Sequence, residues 1–125
     1  MHKKTTTALA LLMIATSAQA EWSHLTSGPS ADVYIDYSAI KKTRHGVRVW
    51  ILTDYSRSTT RSLSSVHLDE YDCNEERFRI LSSRGYAGHK ATGAIVSSEE
   101  SLGEWIYIAP RTLADIQLQA VCKHK

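Results

Sequence analysis

The sequence predicts an α+β fold, a curved antiparallel sheet of about five to six strands with one C-terminal helix packed on a face of it and tethered there by a disulfide. Three observations predict it. Apolar and polar residues alternate through most of the chain, which is the period of strands. That period gives way to a helical one only after Pro110. Finally, the chain has two cysteines, one in a strand-like segment and one in the terminal helical segment, behind a leader of the kind that directs export.

The leader reads "MHKKTTTALALLMIATSAQA". Lys3 and Lys4 supply a positive start, Ala8 to Ala15 an apolar core, and Ala18-Gln19-Ala20 a small-x-small cleavage site. An apolar run of roughly eight residues falls far short of the roughly 20 that span a bilayer. Residues 1–20 are therefore expected to be a signal peptide cut after Ala20, and residues 21–125 one exported soluble domain, periplasmic or secreted. No cysteine follows the cut at once, so neither a lipid anchor nor any other membrane anchor is expected. A mature chain of this length makes one domain with one modest core.

Charge then narrows the partners. The fifteen Lys and Arg include Lys3 and Lys4, so thirteen remain against thirteen Asp and Glu, and the mature chain is neutral. Nucleic-acid binding wants a clear excess of positive charge and is not expected. Arg77, Arg79, Arg84 and Lys90 form a local basic cluster that could touch an anion, although a solvated face is the simpler reading. Outside the cytoplasm two lone cysteines usually pair. A Cys73–Cys122 bridge would contribute roughly 4 kcal/mol by restricting the unfolded chain.

In chain order, Val33 to Tyr37 is a short β-type run, and Ser38 to Lys42 a turn or single helical turn. Val47 to Asp54 is the clearest strand. Val47, Val49, Ile51 and Thr53 lie on one face and Arg48, Trp50, Leu52 and Asp54 on the other. Both faces are largely apolar, which places it centrally. Ser56 to Ser65 is mostly Ser and Thr and should be a mobile hairpin loop. Val66 to Cys73 returns as a strand, Asn74 to Glu76 turns, and Arg77 to Ser83 extends again, helix being the competing reading from 75 to 83. Gly85, Gly88 and Gly93 punctuate a loop before a short strand from Thr92 to Ser97. A turn over Glu99 to Gly103 leads to a last strand from Glu104 to Ala109.

Pro110 stops that strand, and Thr112-Leu-Ala-Asp115 fits a capping box. From Leu113 to Cys122 the residues Asp115, Gln119 and Lys123 make a polar stripe, with apolar residues spread around the rest and only Gln117 interrupting them. Such an arc lies well into a core, so Cys122 should point roughly inward toward a strand cysteine. One helix, about 10 Å across, cannot cover a sheet roughly 19 Å wide. Sheet curvature, the Trp22 segment or a second subunit must shield the rest, and a homodimer is one expectation.

Catalytic signatures are missing from the sequence: no His-Glu-x-x-His, Gly-x-Ser-x-Gly, phosphate-binding glycine loop or Cys-x-x-Cys occurs. His67 and Asp69 share a strand face and could join a metal site only with a third ligand. Cys73 beside His67 could act as a thiol nucleophile only if unpaired. No enzyme activity and no cofactor or metal is expected.

The order of landmarks carries a resemblance. Trp22 is followed by "VYIDYSAIKK", "VRVWILTDY", "SSVHLDEYDC" with "ERFR", "ATGAIV", "EWIYIAPRT" and a terminal "AVC". Spread over nearly all of the mature chain, this resembles the surface-adhesin protein E-like family of small bacterial secreted proteins. The resemblance implies a helix held by a disulfide on the concave face of a small antiparallel sheet, dimers, and attachment to host matrix proteins such as vitronectin and laminin. The residues that carry it, Tyr34, Asp36, Ile40, Trp50, Cys73, Arg77, Trp105, Pro110 and Cys122, look like fold determinants. The expected function is a non-enzymatic extracytoplasmic binding module with a protein partner. Its candidate contacts are the loop residues Ser56, Arg57, Thr59, Thr60 and Arg61 and the exposed sheet face. The alternative is an envelope assembly protein that acts by self-association.

Overall fold

The structure, a computed structural model, describes residues 20–56 and 61–124. The body of the expected signal peptide, and Arg57, Thr59 and Thr60 of the expected contact loop, lie outside the described residues. Eight strands form one open sheet: β1 (Ser23–Ser27), β2 (Ala31–Ile35), β3 (Lys41–Lys42), β4 (Gly46–Tyr55), β5 (Ser64–Asp72), β6 (Arg77–Tyr86), β7 (Ile95–Glu99) and β8 (Ile106–Tyr107). One helix, α1 (Leu113–Lys123), follows. The spatial order is β1-β2-β4-β5-β6-β7, with β3 also paired to β4 and β8 also paired to β6, every pair antiparallel.

Strand β4 is central, as its two apolar faces predict. Val49 and Ile51 join Val33, Ile35, Tyr71, Leu118 and Val121 in the core beneath α1. Alternation sends Trp50 and Leu52 to the opposite face, where Leu52 is fully buried as well. Part of the shielding of that second face comes from within the chain. Trp22 stands beside Trp50 and Val66 in a groove there, and the β6–β7 loop is tied across it by bonds to Asp54 and Ser64.

The helix begins where the capping box places it. The Thr112 hydroxyl accepts from the Asp115 amide at 3.2 Å, while the Asp115 carboxylate accepts from the Arg111 amide at 2.9 Å, one residue earlier than a reciprocal box would have it. The buried arc is narrower than the sequence suggests. Only Leu118 and Val121 are fully buried, whereas Leu113 and Ile116 face solvent. Cys73 and Cys122 form the expected disulfide, with their Cα atoms 5.8 Å apart.

Several boundaries differ for tertiary reasons. β1, with the polar sequence Ser-His-Leu-Thr-Ser, is a strand because its backbone pairs with β2, not because of any period. Ser64 and Ser65, expected in the loop, open β5 and are buried. The Ser64 hydroxyl donates to the Gly88 carbonyl at 2.6 Å and accepts from the Ala91 amide at 2.9 Å, so its burial costs no hydrogen bond. Strand β6 continues through Gly85 to Tyr86. A Cβ at Gly85 would run into the Ser97 hydroxyl, so a larger residue there would force that side chain to turn as β7 closes on β6. β7 starts at Ile95 and runs to Glu99, later than expected, and the last strand shrinks to the Ile106–Tyr107 pair.

Candidate interaction surface

The second face is organised at one end by a tryptophan between arginines. In the register of β4, β5 and β6, Arg48, Glu70 and Arg79 lie in one row, and Asp72 faces Arg77 beside it. The guanidinium carbons of Arg77 and Arg79 stand 4.5 and 4.3 Å from the centre of the Trp105 ring. His45 meets the same ring edge-on at 5.3 Å. Each arginine is also held by an acid, Arg79 by Glu70 at 2.6 Å and Arg77 by Asp72 at 3.0 Å. Burial pushes the Glu70 carboxyl up, but hydrogen bonds from Thr43 and Arg79 and the charge of Arg79 outweigh it and hold the group below its ordinary value. Asp72 is held low in the same way, the amides of Glu75 and Asn74 and the Arg77 side chain outweighing burial.

This arrangement resolves the basic cluster. Arg77 and Arg79 are a clamp that fastens the segment before β8 to the sheet. Arg84 reaches Glu100 at 3.5 Å, and the Lys90 ammonium lies 5.3 Å from the Tyr34 ring. The four side chains do not converge on a shared anion site. Trp105→Ala is expected to lower stability by about 2 kcal/mol in urea denaturation, with Trp105→Phe recovering roughly half. A loss below about 0.5 kcal/mol would mean the two contacts contribute little.

At the other end of this face the β6–β7 loop is a strap. The Lys90 amide donates to the Asp54 carboxylate at 3.0 Å, and His89 Nδ1 lies 3.0 Å from the same oxygen. Lys90 and Ala91 sit in the left-handed region at φ 51° and 58°, a conformation that costs a non-glycine residue about 1–2 kcal/mol. The bonds to Asp54 and Ser64 offset that cost. A groove of about 690 Å³ runs between this strap and the Trp22 segment, lined by Trp22, Trp50, Val66, Arg84, Tyr86 and Ala91 among others. Ala20, after which the leader is expected to be cut, also lines it.

Under α1 lies a buried polar group that no periodicity reveals. Asp69 is 2% exposed, and its Oδ1 has no hydrogen-bond partner among the described residues. The Tyr71 hydroxyl lies 3.2 Å from Asp69 Oδ2 and 2.6 Å from Gln117 Oε1 on the helix. Burial pushes the Asp69 carboxyl up to about 7, against the opposing bond from Tyr71, and pushes the Tyr71 hydroxyl well above its ordinary value. Gln117, which reads in the sequence as an interruption of an apolar arc, is the helix's inward polar contact. His67 shares the face with Asp69 as expected and burial lowers its pKa. Among the described residues no group of three His, Cys, Asp or Glu is placed to hold a metal.

The third feature is the β7–β8 edge. All five residues of β7 and both of β8 are exposed. Among the described residues the large exposed hydrophobics are Ile95, Val96, Leu102, Ile106, Tyr107, Leu113 and Ile116, all within one stretch that runs down this edge and onto the start of α1. Of the contact residues expected from sequence, Ser56 and Arg61 are exposed at the described ends of the β4–β5 loop, which β6 separates from this edge in the strand order. Sequence reasoning missed the edge because Ile106 and Ile108 read alike. Ile106 is 51% exposed, while Ile108 packs against the core.

A disulfide-pinned, open antiparallel sheet with an exposed apolar edge is the class of fold that the described residues define. The chain belongs to the Surface-adhesin protein E family, which matches residues 22–123, and is thus an adhesin-like surface protein. Its fold is similar to that of Haemophilus influenzae protein E, seen in crystal form II, with a TM-score of 0.63 at 14% identity over 86% of this chain and 91% of that one. No curated protein matches the sequence. No helix of the described residues is long and apolar enough to cross a membrane.

Proposed function

We propose that the protein is an exported, non-enzymatic module that attaches to other proteins, host matrix proteins such as vitronectin and laminin being the class that its family suggests. The observation that carries this reading is the concentration of exposed apolar side chains on one sheet edge and the adjoining helix end. Large exposed apolar side chains gathered along one edge are a mark of an interaction surface. Family membership supports the same reading, and the disulfide suits an oxidising location.

The chain starting at Glu21 is expected to bind immobilised vitronectin or laminin saturably in biolayer interferometry. Absence of saturable binding to a panel of matrix proteins would remove the attachment reading. The second reading, an envelope assembly protein that pairs with itself, is favoured by one observation. The sheet is open, so β1 and β7 each present an edge that another copy could join. Sedimentation at rising concentration separates the two, since assembly requires oligomers without any other protein.

A further inference from the structure

We propose that the β7–β8 edge takes an extended segment of the partner protein as an added antiparallel strand, and that this segment combines apolar residues with lysine or arginine. The inference rests on the attachment reading and names its surface and the chemistry of its partner. Both strands pair on one side only, with β6, so their outer backbone groups are free among the described residues. A free edge is a template for another strand, where main-chain hydrogen bonds supply affinity and alternate side chains supply selection.

The side chains say which strand fits. Ile95 and Val96 lie at one end of β7, Ile106 and Tyr107 in β8, and Leu102 between them, all exposed. Glu99, Glu100 and Glu104 stand among these apolar positions and are exposed too. Only Glu100 has a cation near it, Arg84 at 3.5 Å, with both side chains open to solvent. Glu99 and Glu104 have no ion-pair partner among the described residues, and the nearby Arg77 and Arg79 are held by Asp72 and Glu70. The edge therefore combines exposed apolar positions with carboxylates that lack a buried cation partner, and a strand that combines apolar and basic residues complements it.

A second copy fits worse. Antiparallel self-pairing of β7 about Ser97 sets Ile95 against Glu99 twice, confining a carboxylate against isoleucine each time. The opposite edge differs in kind. β1 has no large exposed hydrophobic and carries a bulge between His24 and Thr26, both features that discourage strand addition.

Three synthetic peptides of about ten residues, a usual strand length, test the proposal. One alternates valine with lysine, one alternates valine with glutamate, and the third is the valine–lysine peptide N-methylated at every second amide. Each is titrated into the 15N-labelled chain from Glu21. The valine–lysine peptide is expected to shift the amides of Ile95–Glu99 and Ile106–Tyr107 to saturation, and the N-methylated one to bind roughly tenfold weaker or less. The double variant Glu99→Lys/Glu104→Lys is expected to lose the valine–lysine peptide and gain the valine–glutamate one. The proposal is overturned if neither peptide moves those amides at millimolar concentration, or if N-methylation or charge reversal leaves affinity unchanged. It is overturned equally if the same amides shift with protein concentration alone, which assigns the edge to a second copy. Matrix-protein binding that survives in the double variant sinks this edge and spares the attachment reading. Loss of all matrix binding by the unaltered chain sinks that reading as well.

Discussion

Replacing Cys73 and Cys122 together by serine is expected to lower the unfolding free energy by about 4 kcal/mol, measured in urea without reductant. The two cysteines are 49 residues apart, and the bridge spans the end of β5 and the last turn of α1. Opening it gives the unfolded chain a large loop's worth of freedom. It also leaves α1 attached by little else, since Leu118 and Val121 are its only fully buried side chains and two of its larger apolar residues face solvent. A domain of this size has about 5–15 kcal/mol in all, so such a loss is large. The helical circular dichroism signal should fade at lower urea than the strand signal in the double variant. A loss under about 1 kcal/mol would show that packing alone seats the helix.

The second large effect concerns protons beneath that helix. The Tyr71 hydroxyl has one hydrogen and faces two oxygens, Gln117 Oε1 at the shorter distance and Asp69 Oδ2. With Tyr71 donating to Gln117, a protonated Asp69 can donate to Tyr71 in turn, whereas an ionised Asp69 must compete with Gln117 for the one hydrogen. Burial, which pushes the Asp69 carboxyl up to about 7, favours the protonated state. An unfolded aspartate releases its proton near 3.9. Between those values the folded chain holds a proton that the unfolded chain has lost. Asp69 by itself is therefore expected to make stability fall as pH rises from about 4 to about 7 and level off above, by roughly 4 kcal/mol in total at about 1.4 per pH unit. His67, whose pKa burial lowers, acts with the opposite sign in the upper part of that window.

Glu70 and Asp72 act with the opposite sign. Their carboxyls are held low, so their contribution is present at neutral pH and lost as the solution becomes acid enough to protonate them. The comparison that isolates Asp69 is Asp69→Asn, whose amide donates permanently where the carboxyl donates only when protonated. The variant is expected to be more stable than the native chain at pH 8 and to lack the decline between pH 4 and 7. Parallel stability curves for the two proteins across that range would show that Asp69 is ionised in both states.

Much of this molecule was legible in its linear order. The alternation of Val47 to Asp54 determined a central strand with two apolar faces, because period alone decides which side chains share a face. Thr112 and Asp115 marked the start of the helix, because a cap is made within one turn. Two cysteines behind an export-type leader determined their pairing, because no other thiol was on offer, and the order of short landmarks carried the family resemblance. Each of these is a local or compositional property. Only the tertiary structure decided that the Ser-His-Leu-Thr-Ser segment is a strand, that Ser64 and Ser65 are buried, that Arg77 and Arg79 hold a tryptophan, and that Gln117 turns inward. Those outcomes depend on partners many residues away, such as β2 for β1, Gly88 and Ala91 for Ser64, Trp105 for the arginines and Tyr71 for Gln117. The exposed edge follows the same logic, since which isoleucine meets water is set by the neighbours that fail to cover it.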